Sequence, residues 1–176
     1  MLMIIILHLL GHGGLLYALK SDANQIFTSH YSIVWFLEIS CFCAVNCYAL
    51  ISGYVGWNSK FSFAKLAIFW VQVLIYSLGV IFFLSFFFEI TEKIWQEAIT
   101  PIFSSVYWYA TAHFGVILLM PILNSFIQTV EKKNGIILSV SLLFFLAIIP
   151  AYLRNNPFHL NAGYSTLWLA IMYVIG

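Results

Sequence analysis

The sequence predicts an all-α fold: a polytopic transmembrane helical bundle with about five full spans and a partial sixth. Three observations predict it. Hydrophobic residues make up 63% of the 176 residues and charged residues 7%, where soluble domains have roughly 45–50% and about 25%. Such a chain lacks the polar surface to cover a fold in water. Apolar runs also recur at lengths near the ~20 residues that cross a bilayer as a helix, with short polar segments between them. Finally, aromatic residues reach 19%, which suits interfacial belts and packing between spans. A net charge of +1 with no basic run gives nucleic acid no footing. No fixed-period repeat or composition shift divides the chain, so residues 1–176 read as one transmembrane domain.

The first span is expected from Met1 to Leu19. It carries His8 and His12, one turn apart on one helix face. No Lys or Arg precedes it and His8 interrupts the apolar run, so it does not read as a cleaved secretory signal. A polar loop with Lys20, Asp22, Asn24 and Gln25 follows, reaching to about Ser32. The second span is expected from about Ile33 to Gly56, with Trp35 and Trp57 near its ends and Glu38, Asn46 and Ser52 inside it. The third runs from about Phe63 to Phe88. A loop from Glu89 to Ser105 carries Glu89, Glu92 and Glu97, and 91–99 reads as a short amphipathic helix at the interface.

The fourth span is expected from about Val106 to Val130, with His113 inside it and a kink at Pro121. The tight connection Glu131 to Gly135 should make spans four and five antiparallel neighbours. The fifth runs from about Ile136 to Tyr152, and a loop from Arg154 to Asn161 leads to the last apolar run, Tyr164 to Gly176. That run has 13 residues, short of the ~20 of a full span. Together with an apolar run that starts at residue 1, it leads to the expectation that the chain is truncated at both ends. Lys60, Lys65, Lys132 and Lys133 lie on one side, against Lys20, Lys93 and Arg154 on the other. This bias places the N-terminus inside and the 89–105 loop outside.

The residues with chemistry are few. Imidazoles inside a span are costly and usually face the bundle interior with a task. A neutral histidine is also the commonest general base, which makes His8 the first candidate. His12 completes a His-x-x-x-His spacing, but Leu9 stands where the zinc-protease pattern has its acid. Gly11, Gly13 and Gly14 either thin the helix for a close approach or end it there. Glu38 either sits at the headgroup level or accepts the second N–H of a histidine. His113 reads as a gating or substrate contact, or as packing. Cys41, Cys43 and Cys47 lie in an apolar run and read as small residues at a helix contact rather than as metal ligands.

Four stretches together resemble one family. They are Ile4-Ile-Ile-Leu-His8-Leu-Leu-Gly-His12-Gly-Gly, Ala49-Leu-Ile-Ser52-Gly53-Tyr54, the segment from Tyr107-Trp108-Tyr109 through His113, Gly115 and Pro121 to Asn124, and Gly163-Tyr164-Ser165 through Trp168 to Tyr173-Val-Ile-Gly176. In order and spacing they resemble the N-terminal half of the integral-membrane acyltransferase 3 family. The resemblance implies an O-acyltransferase, often an O-acetyltransferase, of the cell membrane. It would use acyl-coenzyme A, such as acetyl-coenzyme A, as the donor and a sugar hydroxyl of a cell-surface or exported polysaccharide as the acceptor. The family's hallmark is an arginine, ten residues and a histidine in the first span. The histidine matches His8, and the arginine would fall before Met1. His8 is then the expected base, with His12, Glu38, Asn46, Ser52, Tyr54 and His113 as possible neighbours of the site and no metal. Two readings compete: a proton-coupled transporter or exporter fragment, and a non-catalytic membrane subunit.

Overall fold

The structure is a computed structural model that describes residues 2–16, 29–160 and 163–176. Every regular element among these residues is helical. The expected loop residues Lys20, Asp22, Asn24, Gln25 and Asn161 lie outside the described residues. The chain divides into two units, residues 1–49 and 50–176.

In the first unit, α1 (Leu2–Gly11) packs against α2 (Ser29–Cys41). α1 has 10 residues, about 15 Å of helix, where the apolar run suggested a span to Leu19. Its glycines explain the early stop. Gly14 takes φ +78°, in the left-handed region that closes helices cheaply only for glycine. α2 gives way to a turn at Phe42 and Cys43, where the Phe42 N–H is shared between the Glu38 and Ile39 carbonyls at 3.0 and 3.3 Å. Helix resumes as α3 (Ala44–Gly56), so the apolar helical run His30–Gly56 is 27 residues long.

The second unit takes in the end of α3, then α4 (Phe63–Leu84), α5 (Glu92–Ile99), α6 (Trp108–Thr129), α7 (Lys132–Leu143), α8 (Ile149–Leu153) and α9 (Thr166–Ile175). Four helical runs are long and apolar enough to cross a membrane: His30–Gly56, Phe63–Leu84, Trp108–Thr129 and Lys132–Leu153. They mark a membrane protein. Burial supports this from another direction. The buried positions of α4 and α6 are small or polar (Ser77, Ala112, Val116 and Asn124), while Phe63, Tyr76 and Phe82 lie exposed. That inversion is costly in water and natural in lipid, where helices meet through small and polar residues. α5 fulfils the expected interfacial helix, with Ala98 buried and Lys93 and Glu97 4.0 Å apart on its outer face. A pair so exposed contributes little to stability.

α6 continues as one helix through Pro121, and the departure from regular helix lies elsewhere. The irregularity falls in the fifth span, where Phe144–Ile148 form a π-helical turn closed by the Ile149 N–H on the Phe144 carbonyl. Pro150 follows directly, in the first turn of α8. A wide turn ahead of proline accommodates both its missing N–H and the clash of its ring with the preceding turn. The close partner of α6 is also α9 rather than α7, despite the short connection Val130–Glu131.

Small residues let α9 in. Gly115 of α6 faces the Thr166 side chain, and Gly53 of α3 lies directly against the Tyr173 backbone carbonyl. A methyl at Gly53 would overlap that carbonyl, and backbone cannot swing aside as a side-chain tip can. Helix propensity alone favours Gly53→Ala by about 1 kcal/mol. The overlap should reverse the sign, for a net loss of about 1–3 kcal/mol. Denaturant unfolding in detergent micelles, followed by circular dichroism, measures this, and a stabilised variant would refute the α3–α9 contact.

Candidate functional site

His8 and His12 follow from the sequence spacing: residues four apart on a helix project from one face, and their ring centroids lie 5.4 Å apart. His8 Nδ1 lies 2.8 Å from the Ile4 carbonyl oxygen, one turn back in α1. A carbonyl only accepts, so the contact selects the tautomer with the proton on Nδ1 when the ring is neutral. Nε2 is then the lone-pair nitrogen, which is the tautomer a general base needs. Both histidines are exposed in the structure, where an interior position was expected for intramembrane imidazoles. The face of α1 that is buried carries Leu10 instead.

Glu38 lies in α2 of the same unit. It is buried, and its Oε2 has no hydrogen-bond partner among the described residues. Nδ1 of His8 is held by the helix's own backbone and not by this carboxylate. Asn46 is half-buried on α3. Cys41 is buried, Cys43 and Cys47 are exposed, and all three are free thiols. Among the described residues, no group of three or more His, Cys, Asp or Glu converges.

The second unit holds a polar centre that sequence reasoning missed. Asn124, buried in an apolar helix, uses both donors of its amide and accepts one bond at its oxygen. Its Nδ2 donates to the Gly56 and Ser59 carbonyls at 3.0 and 3.1 Å, and its Oδ1 accepts from the Tyr173 hydroxyl at 2.8 Å. One turn on, Gln128 Nε2 donates to the Trp57 carbonyl at 3.2 Å. The last carbonyls of a helix have no partner within it. Two amides at i and i+4 on α6 therefore cap the end of α3, and α9 reaches the same point through Tyr173. The signals for this centre were a polar amide inside an apolar run and the Gly53-x-x-Gly56 spacing.

The remaining candidates do not join that centre. Ser52 is half-buried. Tyr54 is exposed and lines a groove beside α7 and α9. His113 is half-buried, with Tyr109 stacked at 5.7 Å and Phe69 of α4 edge-on at 5.4 Å. Eleven residues separate it from Asn124 along α6, about 16 Å of helix. The aromatic contacts fit the packing reading of His113 more closely than the gating one. The chain matches no protein-family model, no curated protein and no solved structure.

Proposed function

We propose that the protein is a membrane O-acyltransferase in which His8 is the general base. The observation that carries this reading is the His8 Nδ1 contact with the Ile4 carbonyl, which leaves an exposed Nε2 to accept a proton. The resemblance of the four sequence stretches to the acyltransferase 3 family supplies the substrate class. Nε2 takes the proton of a sugar hydroxyl on a cell-surface or exported glycan. The hydroxyl oxygen bonds to the thioester carbonyl carbon of acyl-coenzyme A, and the carbon–sulfur bond breaks. The proton passes from the imidazolium to the departing thiolate, which restores neutral His8. In this reading the protein lies in the cell membrane with its N-terminus on the cytoplasmic side, where the donor is found. His12 stands beside the base, and the exposed Tyr54 offers a hydroxyl at a separate groove.

Glu38 favours a second reading, because a buried intramembrane carboxyl whose Oε2 has no hydrogen-bond partner among the described residues suits a proton-coupled carrier. Isotope-labelled acetyl-coenzyme A distinguishes the two in membranes carrying the protein. Transfer of label to a glycan acceptor is expected from the enzyme. Intact donor together with proton-driven uptake of a solute would replace the acyltransferase reading with the carrier.

A further inference from the structure

Where α3, α6, α7 and α9 meet, the second unit opens an apolar groove of about 490 Å³, within the ~300–1,000 Å³ typical of ligand sites. Its lining includes Ile136, Val140 and Val174 together with Tyr54 and Trp57. Lys132 is the one charged residue among those lining it, while Glu131 beside it in sequence does not line the groove. Lys132 is exposed and, among the described residues, makes no ion pair or side-chain hydrogen bond. It sits at the first turn of α7, just past the end of α6, at the level where aromatic and basic residues meet headgroups. From Lys132 to Val140 the helix runs about 12 Å toward the hydrocarbon. The groove is thus basic at the membrane surface and apolar below it.

We infer that it binds one anionic phospholipid, with the phosphate at the Lys132 ammonium and an acyl chain along Ile136, Val140 and Val174. The ammonium has no carboxylate to satisfy it and a lipid phosphate does so, whereas a zwitterionic headgroup brings its own cation. A single lysine near the surface is expected to give about fivefold preference for the anionic lipid. This inference does not depend on the acyl-transfer reading.

Trp57 reports on the groove. The protein is reconstituted with phosphatidylglycerol or phosphatidylcholine carrying brominated acyl chains, and the Trp57 signal is taken as the difference from Trp57→Phe. Brominated phosphatidylglycerol is expected to quench Trp57 at about one-fifth the mole fraction that phosphatidylcholine needs. Lys132→Ala, at an exposed position, should abolish the preference and Lys132→Arg should keep it. Equal quenching by the two lipids, no quenching by either, a preference that survives Lys132→Ala, or displacement by inorganic phosphate would each overturn the inference.

Discussion

Replacing Asn124 with leucine, which keeps the branched side-chain shape and removes the amide, is expected to destabilise the second unit by about 2–4 kcal/mol. The size follows from what is stranded. The Ser59 carbonyl loses its Asn124 donor and the Tyr173 hydroxyl, in a side chain with no exposed surface, loses its acceptor, while the Gly56 carbonyl keeps the Ser59 N–H and hydroxyl as donors. A buried polar group without a partner costs about 1–3 kcal/mol. Interhelical hydrogen bonds in membranes average nearer ~0.6 kcal/mol, because the unfolded state in lipid also finds partners. Adding Tyr173→Phe to Asn124→Leu should cost less than the sum of the two single changes, since each removes the same bond. Thermal unfolding in micelles for all four proteins gives the cycle, and strict additivity would mean that the two side chains do not interact.

His8→Ala is expected to lower acyl transfer by about 10²–10⁴-fold, the usual contribution of a positioned base. Because the side chain is exposed on α1, its loss should leave helix content unchanged. A fall in turnover without unfolding therefore separates chemistry from structure. His12→Ala provides the contrast: it removes the neighbouring ring 5.4 Å away but not the proton acceptor, so a much smaller loss is expected. Equal losses in the two variants would move the assignment from His8 to the pair. Normal transfer by His8→Ala would remove it from the mechanism.

The fold class was legible because it depends on composition and run length. Four of the expected spans keep nearly the boundaries read from hydropathy, and the interfacial helix at Glu92–Ile99 lies where its amphipathic pattern put it. The site was legible in part. The proximity of His8 and His12 is a property of one helix and follows from their spacing. Their exposure does not, because which face a short helix buries depends on what packs against it.

Spacing within a helix and hydrophobicity over a run are local quantities, and the sequence alone determined both. Contacts between distant helices are not local. Only the tertiary structure decided that α6 would pair with α9 rather than with the helix it connects to, and that Asn124 would cap the end of α3. It also showed Glu38 buried with no hydrogen-bond partner for its Oε2 among the described residues. In lipid the apolar residues that dominate this chain pull no pair of helices together more than another. The choice therefore falls to a few glycines and amides, whose partners lie far away in the chain, 71 residues for Gln128 and Trp57.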